Sequence, residues 1–285
     1  MRLCRYDDNR LGVVRDGQIF DVTAALDQLP ALRWPLPPGD LLIANLAKLK
    51  PEIERLARGN RSKSVTEVKF LSPVANPSKI VAAPVNYQKH IDESRLDKGI
   101  SFGQDIKTID FYGVFLKSSS ALVGAGEGVA LRFTDRRNDH EVELGVVIGK
   151  TANNVPRAKA MDYVAGYSIA LDMTVRGTED RSLRKSLDTY AVLGPWLVTP
   201  DEIPNPGNLE FSIKVNDELR QHANTRDLIF DIAKLIEYSS SFYTLHPGDI
   251  IMTGTPEGVG PVKAGDVMHV EFEGIGKMDV AVRNA

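Results

Sequence analysis

The sequence predicts a β-rich α+β fold, in which a small N-terminal α+β module precedes a larger domain dominated by strands. Short runs rich in valine and isoleucine and bounded by glycine, such as 140–149 and 166–172, are typical of buried strands. Pro-Gly-Asp and Ala-Gly-Asp turns at 247–249 and 264–266 are typical of folds with many short strands. Apolar residues make up 42% of the 285 residues, which is enough for a sizeable core.

The boundary between the two parts is predicted at a proline-containing segment. Two prolines lie between positions 72 and 78, and such a segment favours a linker. We therefore expect a module over 1–72 and a larger domain over 73–285.

The N-terminal module is predicted to contain a hairpin and a helix. Residues 10–22 are predicted to form a hairpin whose turn is Asp16-Gly17, a dipeptide that favours a tight hairpin turn. The helix is expected over 40–57, where Pro51 should kink or break it. The segment carries no pattern that indicates chemistry.

The larger domain is predicted to begin with a strand at 79–83 and a helix at 86–93. The polar segment 94–109 has little periodicity and is a candidate for a mobile lid. The clearest helical periodicity lies at 227–244.

Acidic residues in the run 140–149 indicate a cation site. Side chains alternate along a strand, so Glu141 and Glu143 should point the same way. Asp172 ends a second apolar run. Three carboxylates without a soft donor favour Mg²⁺ or Mn²⁺, with Ca²⁺ also possible. The alternative is an edge strand whose glutamates face water.

A second candidate pair follows the first strand of the larger domain. His90 and Glu93 are three residues apart and should share a helix face. A carboxylate that holds a histidine fixes its tautomer, as a general base requires. The alternative is a surface pair on an amphipathic turn.

Composition excludes several classes of function. The net charge of −3 is spread along the chain, so we expect no nucleic-acid partner. Cys4 is the single cysteine, which excludes an intrachain disulfide. No apolar run has the length of a membrane span, and the first residues lack the apolar core of a signal peptide. We therefore expect no membrane association and a cytoplasmic location.

Three further side chains carry simpler expectations. His140 should point to the strand face opposite Glu141 and pack there. His222 lies in a predicted loop and is a weaker candidate for substrate contact. Lys117 could serve the site, but it ends a predicted strand, where a lysine is expected to be solvated.

Over about Lys79 to Val282 the sequence resembles the fumarylacetoacetate hydrolase superfamily, in its acylpyruvate hydrolase-like branch. Each motif alone is weak, but their order over the larger domain is specific. They are Asn-Tyr-x-x-His-x-x-Glu at 86–93, Phe-Leu-Lys at 115–117 with Ala-Leu-Val-Gly at 121–124, Glu-Val-Glu-Leu at 141–144, Gly-Tyr at 166–167 through Asp172 to Arg176, Lys-Ser-Leu-Asp-Thr at 185–189 with Leu-Gly-Pro-Trp at 193–196, and Pro-Gly-Asp-Ile at 247–250 with Thr-Gly-Thr-Pro at 253–256.

The resemblance implies a mixed-sheet β-roll or barrel, a divalent cation at its mouth and a homodimer. It also implies roles for particular side chains. Glu141, Glu143 and Asp172 match the metal ligands, His90 and Glu93 the pair that activates water, and Lys185 a lysine that stabilises negative charge. The residues implied to contact substrate are Arg176, Glu179, Gln221, Gly254 and Thr255.

Two departures from the family pattern affect the expected substrate. Ala83 stands where some members have a fourth carboxylate ligand, so the resemblance implies a three-ligand site. Glu179 stands where a glutamine is common, and a carboxylate there should disfavour an anionic group nearby.

The implied reaction is hydrolysis of a carbon–carbon bond in a 2,4-dioxo acid, such as fumarylpyruvate or maleylpyruvate, through a metal-bound enolate. The same electron sink serves decarboxylation or tautomerisation of oxaloacetate and isomerisation of a hydroxymuconate-type diacid. A non-catalytic binding protein of the same fold is the alternative from a different class.

Overall fold

The computed structural model describes residues 1–59 and 62–285 and confirms the predicted β-rich α+β fold. The strands of the described part form sheets of twelve, five and three strands. No helix among the described residues is both long and apolar enough to cross a membrane.

The N-terminal strands and helix follow the predicted order, and the hairpin turns at Asp16-Gly17 as expected. The elements are β1 (Arg2–Tyr6), β2 (Arg10–Arg15), β3 (Gln18–Asp21), α1 (Leu41–Gly59), β4 (Ser62–Ser64) and β5 (Phe70–Leu71), with 3-10 turns at Thr23–Gln28 and Val65–Glu67.

Helix α1 continues through Pro51, so the predicted break is wrong. Pro51 leaves the carbonyl of Ala47 without its helical donor. Both residues are exposed, so water can satisfy that carbonyl while the opposite face stays regular. On that face Leu49 and Ile53 are fully buried against the large sheet.

The N-terminal strands continue the sheet of the larger part. Strand β1 pairs with the later strand Ala191–Val198, with Leu3 opposite Leu197. The apolar face of α1 packs on the same sheet. The division between 1–72 and 73–285 therefore stays a prediction about the organisation of the chain.

The remaining elements lie in the larger part. The first group is β6 (Ile80–Ala82), α2 (Gln88–Leu96), α3 (Lys98–Ser101), α4 (Ile109–Tyr112), β7 (Phe115–Lys117), β8 (Leu122–Val123) and β9 (Val129–Leu131). The second group is β10 (Asn138–His140), β11 (Val142–Ile148), β12 (Val164–Asp172), β13 (Thr174–Val175), α5 (Arg181–Lys185) and β14 (Ala191–Val198). The last group is β15 (Glu210–Val215), β16 (Glu218–Asn224), α6 (Ile232–Phe242), β17 (Ile250–Met252), β18 (Gly260–Pro261), β19 (Val267–Phe272) and β20 (Gly276–Asn284).

The predicted single strand 140–149 divides at Glu141. Residues before it form β10, which pairs with β13 and β18 in the three-stranded sheet, whereas β11 lies in the twelve-stranded sheet between β12 and β17. The segment that pairs with β10 and β11 passes between the same two sheets, since β12 ends at Asp172 and β13 begins at Thr174. The backbone N–H of Asp172 donates to the carbonyl of Glu141 (2.9 Å). Two acidic residues thus meet where the chain passes from one sheet to the other.

The predicted helix 227–244 is shorter, because its first residues bond to another segment. The backbone N–H of Ile229 donates to the carbonyl of Asn86 (2.9 Å), and that of Phe230 donates to the Asn86 side chain (2.7 Å). Helix α6 begins only after Asp231, whose carboxylate caps the N–H of Lys234 (2.8 Å). The residues that leave the predicted helix therefore fix Asn86, which lies two residues before the start of α2.

Candidate active site

Three carboxylates converge at the passage between the sheets. One oxygen from each of Glu141, Glu143 and Asp172 lies within 4.8 Å of the others, and all three side chains are buried. Glu141 and Glu143 share a face as the alternation predicted. The register of β11 against β12, in which Val142 faces Leu171, carries Asp172 to the same end.

Glu141 and Asp172 are held by basic side chains. The Lys185 ammonium donates to Glu141 Oε2 (2.6 Å), Asp172 Oδ2 (2.7 Å) and Thr174 Oγ1 (2.7 Å), which uses all its protons. Lys117 donates to the other oxygen of Asp172 and to the carbonyl of Tyr190 (2.9 Å). The Lys117 side chain is fully buried, so the expectation that it is solvated is wrong. Asp172 can hold both ammonium groups because β7 ends beside β12.

A line of alternating charges extends from this cluster to the segment after α2. Arg176 donates to Glu141 Oε1 (2.8 Å) and Asp139 Oδ2 (2.7 Å). Arg137 donates to Asp139 Oδ1 (2.7 Å) and to Oδ2 of Asp97 (2.8 Å), which caps α3. Asp139 and Glu141 are therefore each placed between two cations, and Asp97 ends the line beside Arg137.

Glu143 differs from the other two carboxylates. Its hydrogen-bond donor is the backbone N–H of Gly254 (2.7 Å), and no cationic side chain pairs with it in the described part of the chain. Gly254 has φ +99°, and a Cβ there would lie 2.6 Å from that of Asn86, so the position requires glycine.

The two glutamates have opposite pKa shifts. Burial and the charges of Asp172 and Glu141 raise the pKa of Glu143 well above its usual value. Burial would also raise the pKa of Glu141, but the charges of Lys185 and Arg176 outweigh it and lower that pKa. Lys185 and the N–H of Gly254 thus compensate negative charge at Glu143 only in part.

This donor set fits a divalent cation. The oxygens of Glu141 and Asp172 each accept one protein hydrogen bond, which leaves further lone pairs for a metal. Glu143 adds a carboxylate without a cationic partner. All donors are oxygen, as Mg²⁺ and Mn²⁺ prefer.

His90 lies on α2 beside this cluster and is 5% exposed. Its Nδ1 lies 3.0 Å from Glu93 Oε2, and the other Glu93 oxygen accepts from the N–H of Gly258 (2.8 Å). A carboxylate at Nδ1 places the imidazole proton there and leaves the Nε2 lone pair available as a base.

Thr255 is oriented by a buried amide. Gln221 Oε1 lies 3.0 Å from His140 Nδ1 and accepts from the N–H of Val142 (3.2 Å). Gln221 Nε2 donates to Thr255 Oγ1 (2.8 Å) and to the carbonyl of Pro256 (2.8 Å). Thr255 Oγ1 is therefore an acceptor here, and its own proton is left to point elsewhere. Burial lowers the pKa of His140 to about 4, in line with its expected packing role.

A cavity of about 90 Å³ connects these groups, enough for a few water molecules or a small acid. Most predicted site residues line it: His90, Glu141, Glu143, Arg176, Glu179, Lys185 and Thr255. Four others, Glu93, Asp172, Gln221 and Gly254, are not on its wall and contact residues that are. Gln221 and Gly254 contact the cavity-lining residues Thr255 and Glu143, and their predicted substrate contacts stay a prediction.

The sequence analysis missed part of this arrangement. Asp139 precedes Glu141 by two residues, so the same alternation could have placed it on the same face. Lys117 was present in the Phe-Leu-Lys motif but gave no signal of burial. His222, in contrast, is exposed on β16 and pairs with Glu210, away from the cavity.

The sequence is similar to those of enzymes with named activities. The chain is 57% identical over 289 residues to a maleylpyruvate hydrolase of Aquipseudomonas alcaligenes, with 100% of both chains covered. It is 38% identical to the mitochondrial oxaloacetate tautomerase Fahd2a of Rattus norvegicus, over 74% of this chain and 68% of that protein.

A solved structure of a maleylpyruvate hydrolase is also similar to this chain. The crystal structure of maleylpyruvate hydrolase from Sphingobium sp. SYK-6, in complex with manganese(II) ion and pyruvate, superposes with a TM-score of 0.84 at 40% identity and covers 100% of both chains. The family model for the C-terminal part of fumarylacetoacetate (FAA) hydrolase matches residues 79–283. The protein belongs to the fumarylacetoacetate hydrolase family.

Proposed function

We propose that this protein is a divalent-metal-dependent hydrolase that cleaves the carbon–carbon bond between the two carbonyl-bearing parts of a 2,4-dioxo acid, with maleylpyruvate as the best candidate. The observation that carries the proposal is the buried carboxylate triad with a carboxylate-held histidine on the same cavity. The 57% identical relative and the neighbouring structure with manganese(II) and pyruvate support it.

A cation bound by Glu141, Glu143 and Asp172 supplies Lewis-acid stabilisation of negative charge on the 2-oxo acid oxygens. Each residue around it then has a distinct task. Lys117, Lys185 and Arg176 hold two of the carboxylates in place through the contacts above, and Gly254 holds the third. The pairing of β11 with β12 and these contacts keep the carboxylate oxygens of the triad close together without a cation.

His90 is assigned to activate water. Its Nε2 takes a proton as the water oxygen forms a bond to carbon 4 of the substrate. The bond between carbons 3 and 4 then breaks, and its electron pair passes to the pyruvate fragment as an enolate. Protonation of that fragment at carbon 3 gives pyruvate, and the acyl fragment leaves as a carboxylate.

Lys185 and Thr255 serve the same step. Lys185 lies on the cavity wall and adds positive charge where the enolate forms. Thr255 accepts from Gln221 and so can direct its own hydroxyl proton to a substrate oxygen. Glu93 keeps the His90 ring in the required tautomer.

The proposal is tested with a panel of substrates. The purified protein is incubated with maleylpyruvate, fumarylpyruvate, acetylpyruvate and oxaloacetate, with added Mg²⁺ or Mn²⁺, and each product is identified. We expect pyruvate and maleate from maleylpyruvate, and no turnover in excess chelator. Turnover of oxaloacetate alone would contradict the proposal.

A second candidate, tautomerisation or decarboxylation of oxaloacetate, is favoured by the similarity to the oxaloacetate tautomerase. Neither reaction needs an attacking water. The His90–Glu93 pair could also move the proton in tautomerisation, so the products of the substrate panel distinguish the two functions.

We also propose that the protein acts as a homodimer in the cytoplasm. The dimer rests on the family resemblance. Light scattering of the purified protein tests it, and a monomer mass would contradict it.

A further inference from the structure

The short helix α5 presents three basic side chains to the cavity. Arg181, Arg184 and Lys185 are spaced i, i+3 and i+4, so they share a helix face. All three line the cavity, whereas Leu183 on the other side is exposed. Lys185 is saturated by Glu141, Asp172 and Thr174, as described above. The two arginines are not used by the proposed chemistry.

Arg184 is anchored but not neutralised. Its Nε donates to the carbonyl of Glu179 (2.8 Å), which fixes the guanidinium plane. Within residues 1–59 and 62–285, its two terminal nitrogens make neither a hydrogen bond nor an ion pair. Burial and the positive charge of Arg176 lower the pKa of Arg184, as expected for a partly buried cation that has no paired anion.

Arg181 is held by a ring instead of an acid. Its guanidinium carbon lies 4.0 Å from the centre of the Tyr112 ring, and the ring face leaves its N–H groups free at the edge. No acidic side chain forms an ion pair with Arg181 in the described chain. Two partly buried guanidinium groups thus line one wall of the cavity.

Glu179 does not cancel this charge, although the sequence predicted that its carboxylate would disfavour an anion. Both of its oxygens accept from Arg136, at 3.0 Å from Nη1 and 2.8 Å from Nη2. Arg136 also donates to the carbonyl of Arg176 (2.7 Å), which keeps the pair in place. The anion of Glu179 is therefore already matched.

We propose that Arg181 and Arg184 form a subsite for a second carboxylate, at the acyl end of the substrate. The inference rests on the proposed function, in which the 2-oxo acid end is held at the carboxylate triad. It assigns the substrate class as 2,4-dioxo acids whose acyl group ends in a carboxylate. A planar guanidinium with a free pair of N–H donors binds a carboxylate in a bidentate manner.

The test compares a charged and an uncharged acyl group. Maleylpyruvate carries the second carboxylate and acetylpyruvate lacks it. We expect Arg184→Met to lower the ratio of the two kcat/KM values by about 10- to 100-fold, as for loss of a hydrogen-bonded charge pair. Arg181→Met should act in the same direction, and Arg184→Lys should restore part of the ratio. Arg55→Met, on the exposed face of α1, is the matched control and should leave the ratio unchanged.

Two outcomes would overturn the subsite. One is unchanged kcat/KM for both substrates in both arginine variants. The other is an equal fold loss for both substrates, which also leaves the ratio unchanged and would make the arginines supports of the cavity wall only. If the wild-type protein hydrolyses neither substrate, the proposed function fails. The subsite is then tested separately by the thermal shift that maleate binding produces. Maleate should then stabilise the wild type more than Arg184→Met, and equal stabilisation by maleate would reject the subsite.

Discussion

The two ends of the cavity are charged in different ways. At the inner end, acids and bases alternate from Asp97 through Arg137, Asp139, Arg176, Glu141, Lys185 and Asp172 to Lys117, and each is bonded to the next. At the outer wall, Arg181 and Arg184 have no acidic partner in the described chain. The inner end is therefore nearly self-neutral, and the outer wall is cationic.

This difference indicates what each end is built to hold. The alternating line contains four acids and four bases, so Glu143 is the one acid in excess beside it. Its surplus negative charge suits a cation. The outer arginines are the reverse case, because partly buried positive charge without a partner suits an anion. A substrate with a chelating oxo acid at one end and a carboxylate at the other matches both.

Breaking the inner line should give the largest effect. Asp172→Ala leaves the ammonium groups of Lys117 and Lys185 buried without that carboxylate, so unfolding free energy should fall by about 3–5 kcal/mol. Denaturant titration measures it. Asp188→Ala, which removes an exposed partner of Arg132, is the control and should cost less than about 1 kcal/mol. Equal costs would show that the inner line contributes no more than a surface pair.

His90→Ala should spare the cation site and lower hydrolysis by about 10² to 10⁴ in kcat, the usual range for a positioned base. Mn²⁺ affinity should stay within about twofold, because His90 makes no contact with the triad carboxylates. His269→Ala, at an exposed position of β19, is the control. Near-normal hydrolysis by the His90 variant would show that another base operates.

Glu143→Gln sharpens the comparison, since it removes the one acid that the line does not balance. We expect Mn²⁺ affinity to fall at least about tenfold, the size of effect seen when a site loses a charged ligand or its support. Isothermal titration measures it, with Glu271→Gln at an exposed pair as control. Unchanged affinity in the Glu143 variant would move the cation elsewhere.

The smallest effect concerns the segment 94–109, which forms part of the cavity wall. It includes α3 and contributes Ile100, Phe102 and Ile106 to the cavity wall. Oxalate with Mg²⁺ should slow amide hydrogen exchange across it by several fold, because a ligand in the cavity would contact these side chains. Equal exchange in both states would mean that the segment is a fixed loop.

The sequence predicted the parts of this site that follow local periodicity. Alternation along 141–143 placed two glutamates on one face, and the spacing of His90 and Glu93 placed them on one helix face. The fold class followed from the same local signals.

What the sequence could not predict depends on tertiary pairing. Lys117 is buried because β7 ends beside Asp172, and no local pattern carries that contact. Helix α6 is shorter than its periodicity predicted because Ile229 and Phe230 bond to Asn86, far away in the chain. Arg181 and Arg184 look like an ordinary solvated pair until the cavity beside them is seen.

The central claim, metal-dependent hydrolysis of a carbon–carbon bond, is tested most directly by turnover of maleylpyruvate with Mn²⁺ in water labelled with oxygen-18. The account predicts pyruvate and maleate in equal amounts, one solvent oxygen in the newly formed carboxylate of maleate, and no products in excess chelator. Release of carbon dioxide, an unchanged carbon skeleton, or maleate without the label would contradict it.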